Sequence, residues 1–161
     1  MIRRYMRLVN KLQFDDLDIA ILRELQIDCR ISLHEIADKV KAPTSTVHYR
    51  VKRLEKDGVI DGYYARINPE KLELDYLTII EIRANYGPGY HDRIGKELSE
   101  IPGVWAVYFI LGDTDFLVLT RSKDKTEYLK LLDTLMATKG VERTSTRVVG
   151  RVIKENPKLD I

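Results

Sequence analysis

Apolar positions along this chain follow two patterns. Up to Ile60 they recur at helical spacing, whereas beyond Asn68-Pro69 they alternate in runs separated by helical stretches. Leu17, Ala20, Ile21 and Leu25 predict an amphipathic helix that Asp15 caps, with Asp16 and Asp18 favourable to its first-turn dipole, and that ends near Asp28. Ser32 and Glu35 have the spacing of a capping box, and Ile31 and Ile36 that of a hydrophobic staple. Together they open a second helix over Leu33 to Val40. Lys41, Ala42 and Pro43 break the pattern. A third helix then starts at Pro43 and runs to Asp57, with Gly58 as its stop and Val47, Val51 and Leu54 as a narrow apolar stripe.

Val59 to Ile67 alternates loosely and predicts a strand leaving the helical unit, closed by the turn at Asn68-Pro69. From Leu74 to Tyr86 a strand places Leu74, Tyr76, Thr78, Ile80, Ile82 and Ala84 on one face, with Leu77, Ile79, Glu81 and Arg83 on the other. Tyr90, Ile94, Leu98 and Ile101 mark a helix ended by Pro102-Gly103. Val104 to Leu111 is a strand, Gly112-Asp113 a tight hairpin signal, and Thr114 to Arg121 the return strand. Tyr128, Leu131, Leu132, Leu135 and Met136 mark a helix ending at Lys139-Gly140, and Val141 to Ile153 closes as a strand.

Both of these helices exit through Gly-Val, Gly103-Val104 and Gly140-Val141, so the second half reads as an internal duplication. The fold class is therefore α+β. An N-terminal helix-turn-helix, winged-helix-like domain is joined by a hinge strand to a ferredoxin-like βαββαβ sandwich, a four-stranded antiparallel sheet with both helices on one face. The expected divisions are residues 1–14 as a basic extension, 15–58 as the helix-turn-helix domain, 59–69 as hinge and 70–161 as the sandwich domain. The sheet's other face also carries apolar residues, so a partner sheet from a second copy is expected to cover it, which makes the chain at least a dimer.

Composition narrows the class. With 161 residues, 44% hydrophobic and 32% charged, the chain is an ordinary folded one. No run approaches the roughly 18 apolar residues of a membrane span, and the N-terminus lacks a signal-peptide core, so a cytoplasmic location and no membrane partner are expected. Cys29 is the only cysteine, which excludes an internal disulfide and a multi-cysteine zinc site. His48 has no second His or Cys at helical ligand spacing, so neither a metal nor a cofactor is expected.

Charge is distributed unevenly. The chain carries a formal net charge of only +2, yet Lys39, Lys41, Arg50, Lys52, Arg53 and Lys56 are opposed by Glu55 alone between positions 39 and 56. Ser45, Tyr49, Lys52 and Lys56 project opposite Val47, flanked by Thr46, Arg53 and His48. A solvated helix face is often this basic. Behind a capped helix and a short turn, however, it fits the major groove of double-stranded DNA, where hydroxyls and longer donors meet base edges and Lys or Arg neutralises phosphate. The candidate DNA-binding residues are Ser32, Thr44, Ser45, Thr46, His48, Tyr49, Arg50, Lys52, Arg53 and Lys56.

From Phe14 onward the chain resembles the leucine-responsive regulatory protein/AsnC family of transcription regulators, and is especially similar to archaeal members, including glutamine-responsive ones. The resemblance rests on Asp15-Asp16-Leu17-Asp18 with Ile21-Leu22, and on Ser45-Thr46-Val47, Arg50-Val51, Arg53-Leu54-Glu55 and Gly58-Val59-Ile60. Gly112-Asp113-Thr114-Asp115 and the pair Thr144 and Thr146 before Val148-Val149 complete it. It implies a DNA-binding homodimer that builds octamers, regulated by a small effector, usually an amino acid, bound between dimers. Two positions depart from the family pattern. Lys41 stands where the turn usually has Gly, which predicts a non-Gly residue at positive φ, and Pro43 replaces the usual capping Ser.

The candidate effector-binding residues are Gly112, Asp113, Thr114, Asp115, Thr144 and Thr146. Gly112 leaves the turn's backbone N–H groups open to an α-carboxylate, Asp115 offers an anion to the α-ammonium, and the threonine hydroxyls can bond a polar side chain. Glutamine is the first effector to try. The same residues also read as a plain tight turn with strand-forming threonines. Two other functions compete: a nucleoid-architectural protein with little sequence preference, and a decarboxylase like some family relatives. The scattered His34, His48 and His91, and Gly87-Pro88-Gly89 without phosphate-loop context, favour a non-enzyme.

Overall fold

The structure is a computed structural model that describes residues 14–161; apart from Phe14, the basic extension expected over residues 1–14 lies outside the described residues. The chain divides into two compact units. Among the described residues, one takes residues 14–66 together with Asn156–Ile161, and the other spans Ile67–Glu155.

The first unit holds helices α1 (Asp16–Ile27), α2 (Leu33–Val40) and α3 (Thr44–Lys56). The predicted capping box at Ser32 forms, and the expected Asp15 cap is a second one: Asp15 and Ser32 each accept the backbone N–H three residues on, and the side chains of Asp18 and Glu35 reciprocate. Ile21, Ile36, Val47 and Leu54 are fully buried in one cluster. Each such side chain contributes about 1.5–3 kcal/mol, which offsets the cost of ordering helices too short to persist alone. Lys41 caps α2 with φ 55° and ψ 46°, so the non-Gly residue does adopt the left-handed conformation. The helix after the turn begins at Thr44, with Pro43 as a cap that offers no side-chain bond.

The predicted stop at Gly58 is a Schellman motif. Gly58 has φ 69°, its N–H bonds the Glu55 carbonyl at 3.1 Å, and the Val59 N–H bonds the Leu54 carbonyl at 2.9 Å. The hinge strand expected over Val59 to Ile67 does not form. Val59 and Ile60 pack back on the helical core, and residues 61–68 pair with no strand among the described residues. The last six residues also depart from the expected boundary, because they dock on α1. The Leu159 N–H donates to Gln26 Oε1 at 2.7 Å, and Arg23 Nε donates to the Ile161 carbonyl at 2.5 Å.

The second unit runs β1 (Tyr76–Ala84), α4 (Tyr90–Ser99), β2 (Val104–Phe109), β3 (Phe116–Ser122), α5 (Lys125–Met136), β4 (Val141–Val148), after a 3-10 turn at Pro69–Leu72. The sheet order is β2-β3-β1-β4 and every pairing is antiparallel, the ferredoxin-like arrangement expected. Ile80, Ile82, Ala84, Phe116 and Val118 on one sheet face pack with Ile94 and Leu98 of α4 and Leu131 and Leu135 of α5. In place of a tight hairpin, residues 110–115 form a wider loop between β2 and β3, closed by the Ile110 N–H on the Asp115 carbonyl at 2.8 Å.

The duplication is geometric as well as sequential. Gly103 and Gly140 both have positive φ, 89° and 100°, and each lies against the helix of the opposite half. A Cβ would meet Leu131 Cδ1 at 2.7 Å in the first case and Ile94 Cδ1 at 2.8 Å in the second. The Gly103 carbonyl accepts from the Arg121 N–H just inside the end of β3, and the Gly140 carbonyl accepts from the Asn85 N–H just past β1.

Candidate nucleic-acid interface and effector pocket

Helix α3 sorts the proposed DNA contacts by where their side chains go. Val47, Val51 and Leu54 turn inward, leaving Thr44, Ser45, His48, Tyr49, Lys52 and Lys56 exposed, with Tyr49 at 64%. Thr46 is half-buried on the flank. Thr44 Oγ1 lies 3.4 Å from His34 Nδ1 on α2, so the turn brings the two helices' polar ends together. Lys52 makes an exposed pair with Glu55 at 2.9 Å. Glu55 also accepts from the Tyr63 hydroxyl at 3.0 Å. The Lys52 bond, ahead of Tyr63, holds the Glu55 carboxyl below its ordinary range, while burial and then Glu55 push the Tyr63 phenol up to about 12.

Beside the exposed Lys52–Glu55 pair, three further expected contacts are engaged within the protein. Arg50 Nη1 donates to Asp15 Oδ2 at 2.7 Å and to the two Asp18 oxygens at 3.2 and 3.1 Å, and Arg53 Nη2 donates to Asp18 Oδ2 at 2.5 Å. Asp18 is 0% exposed. A buried carboxylate needs compensating donors, so these two guanidiniums tie the start of α1 to the middle of α3 and are not presented to solvent as Lys52 and Lys56 are. The Asp15 bond, ahead of the Asp18 charge, raises the Arg50 pKa above its ordinary value. Ser32 is likewise occupied: its hydroxyl donates to Glu35 Oε2 at 2.7 Å and accepts from the Glu35 N–H at 3.1 Å.

The effector candidates also divide. A pocket of about 190 Å³ opens beside the β2–β3 loop, lined by Asp113, Thr114 and Thr144 together with Glu81, Arg83, Arg143 and Ser145. Arg83 donates through Nε and Nη2 to the Asp113 carbonyl at 3.2 and 2.8 Å, which fixes the loop against β1. Glu81 pairs with Arg147 on β4. Gly112 is exposed at the loop tip and is not among the lining residues.

Asp115 is not available to an effector. It is 5% exposed, its Oδ2 accepts from the Ala84 N–H at 2.8 Å, and its Oδ1 accepts from the Tyr90 hydroxyl at 3.0 Å. The carboxylate thereby joins β1, α4 and the loop, and burial followed by Asp115 raises the Tyr90 phenol pKa. Thr144 and Thr146 do share a face, but it is the helix-covered one, opposite Ile82 and Ile80. Thr146 Oγ1 there accepts from the Tyr128 hydroxyl at 2.7 Å. Thr144 nonetheless lines the pocket, from β4 at the edge of the sheet.

Among the described residues no group of three or more His, Cys, Asp or Glu is placed to hold a metal ion, and no helix is long and apolar enough to cross a membrane. The chain's residues 14–61 match the family model for winged helix-turn-helix DNA-binding, and residues 77–159 match that for the Lrp/AsnC ligand-binding domain. The chain belongs to the Lrp/AsnC family of transcriptional regulators. It is 35% identical to an HTH-type transcriptional regulator of Pyrococcus furiosus, over 91% of this chain and 96% of the relative. It is 36% identical to the leucine-responsive regulatory protein of Klebsiella pneumoniae, over 91% of each. A transcriptional regulator of Neisseria meningitidis, solved in complex with L-methionine, superposes with a TM-score of 0.83 at 26% identity, over 91% of this chain and 96% of that one.

Within this Lrp/AsnC chain, sequence reasoning missed Glu81, Arg83, Arg143 and Ser145 as pocket residues. Alternation had already placed Glu81 and Arg83 on the face opposite the core, and that pair was the available signal, whereas Arg143 and Ser145 join it only through the β1–β4 register.

Proposed function

We propose that this chain is a sequence-specific, duplex-DNA-binding regulator whose DNA affinity or assembly responds to an amino acid. The reading is carried by one observation: after Arg50 and Arg53 are spent on Asp18, α3 still presents Ser45, His48, Tyr49, Lys52 and Lys56 as a continuous polar and basic face. Such a face suits the major groove, with Ser45, His48 and Tyr49 toward bases and Lys52 and Lys56 toward phosphates. Reading a palindrome requires two such helices. The sheet face away from α4 and α5, where Ile79, Leu117 and Leu119 are only partly buried, supports a homodimer as the basic unit and assembly towards an octamer.

The effector reading rests on the pocket beside the loop. An α-carboxylate fits Arg143, an α-ammonium fits the carboxylates of Glu81 or Asp113, and Thr114, Thr144 and Ser145 can bond a polar side chain. Asp113 and Glu81 thus take the part first assigned to Asp115. The archaeal glutamine-responsive members that the chain resembles make glutamine the first compound to test, and a DNA-binding role supports a cytoplasmic location. Calorimetric titration of the full chain with each of the twenty amino acids tests the effector claim. Binding of at least one, weakened about 10-fold or more by Arg143→Ala, supports it. Silence from all twenty overturns it and leaves DNA binding standing.

A further inference from the structure

The pseudo-twofold of the second unit creates two equivalent junctions, and they are finished differently. At one, the loop ending in Gly140 meets α4. Arg93 folds over the junction, its Nη1 donating to the Lys139 carbonyl at 2.9 Å and to Glu97 at 3.3 Å, while Nη2 lies 3.1 Å from where a Gly140 Cβ would stand. At the other, the loop ending in Gly103 meets α5, and the matching positions hold Lys130 for Arg93, Thr134 for Glu97 and Pro102 for Lys139. Among the described residues Lys130 makes no ion pair and the Pro102 carbonyl receives no donor. The junction is instead a cavity of about 260 Å³.

Its floor has an unusual group. Ser122, the last residue of β3, is 1% exposed, lines this cavity, and its Oγ has no hydrogen-bond partner among the described residues. Leaving a buried hydroxyl unpaired is costly, and the second copy of the same junction shows that the fold can seal the space with its own side chain. The cavity is also lined by the apolar Ile101 and Leu131, by Lys130 and Glu127, and by Arg121, whose guanidinium is engaged by the Leu74 carbonyl and Glu155. Glu127 Oε2 accepts from the Lys123 N–H, which fixes the carboxylate and leaves Oε1 unpaired.

We propose that this junction is a second small-molecule site, distinct from the pocket at the β2–β3 loop, that takes an α-amino acid. The ligand's ammonium replaces the Arg93 guanidinium of the sister junction, donating to the Pro102 carbonyl, Glu127 Oε1 and Ser122 Oγ. Its carboxylate meets Lys130, and a short side chain lies on Ile101 and Leu131.

Hydrogen exchange of the full chain, read by mass spectrometry with each of the twenty amino acids at millimolar concentration, locates any binding by segment. At least one amino acid is expected to protect residues 101–104 and 121–123. Glu127→Gln should weaken that protection about 10-fold or more, through loss of a charge-assisted bond. The double variant Lys130→Arg with Thr134→Glu copies the Arg93–Glu97 seal at exposed positions and should abolish the protection, with the melting temperature no lower than that of the parent. An electrostatic contact alone would survive a Lys-to-Arg exchange. Absence of protection at these segments with every amino acid overturns the proposal, as does protection that persists in the double variant. Protection confined to residues 110–115 and 143–145 overturns it while leaving the effector pocket standing, so the two readings fail separately.

Discussion

Replacing Asp18 by Asn removes the charge that joins α1 to α3 without changing the side chain's shape. Asp18 is fully buried and accepts from Arg50, from Arg53 and from the Asp15 N–H at 3.2 Å. An amide oxygen can keep one of these bonds, so two charge-assisted bonds of about 1.5–3 kcal/mol each are at risk. The cost is smaller than their sum. Arg50 retains Asp15, and both guanidiniums lie close enough to the surface to rehydrate, so the loss works out at about 2–3 kcal/mol. That is an increase of about 30- to 150-fold in the opening constant of α3, which native-state hydrogen exchange reads at the amides of Val51 and Leu54. Asp16→Asn, in the same helical turn but exposed, removes only a dipole interaction of about 0.3–1 kcal/mol and should change exchange less than about 6-fold. If Asp18→Asn changes exchange less than about 3-fold, the Asp18 network does not hold α3 in place and Arg50 and Arg53 return to the list of DNA contacts.

Lys52→Ala is expected to lower the slope of log affinity against log salt by about 1 for every duplex, whereas Arg50→Ala should leave that slope unchanged while destabilising the protein; fluorescence anisotropy across a salt series decides between them. Tyr49→Ala should also narrow the gap in affinity between a selected duplex and a random one. Lys41→Gly relieves a left-handed cap at φ 55° and should raise the urea midpoint by the equivalent of about 0.5–1 kcal/mol, so an unchanged or lower midpoint counts against strain at that turn. The Asp15 and Glu35 carboxyls are held below their ordinary 3.8 and 4.5, chiefly by the Asp18 N–H and the Ser32 hydroxyl respectively. Their folded-state pKa values lie below the unfolded ones, so their contribution is present above about pH 4.5 and lost as pH falls through the lowered values. Asp15→Asn should flatten the acid limb of a stability-against-pH curve and leave its neutral region with the same slope.

Local rules made most of the fold legible. The cap at Asp15, the box at Ser32, the stripe of Val47, Val51 and Leu54, and the stop at Gly58 are all statements about residues within about two helical turns, and each is present. The Gly-Val exits announced the duplication because a junction pressed against the opposite helix has no room for a Cβ. What failed was long-range. Asp18 looked like a first-turn acid, and nothing near it in sequence signals two arginines more than thirty residues on. Asp115 looked exposed because it follows a turn motif, but it sits one residue before β3, where its carboxylate is drawn under Ala84 and Tyr90. Alternation correctly put Thr144 and Thr146 on one face yet could not say which face the helices cover. The strand expected over Val59 to Ile67 had a suitable pattern but finds no pairing edge among the described residues.

Competition binding tests the central claim most directly. A labelled duplex selected from a random pool is bound by the full chain and displaced by unlabelled random duplex, with and without each amino acid. The α3 face predicts a specificity ratio of at least about 10³ at near-physiological salt, and the pocket predicts that one amino acid shifts the selected duplex's affinity by about 5-fold or more. Equal affinity for selected and random duplexes, unchanged by all twenty amino acids, would contradict the account and favour an architectural DNA-binding role.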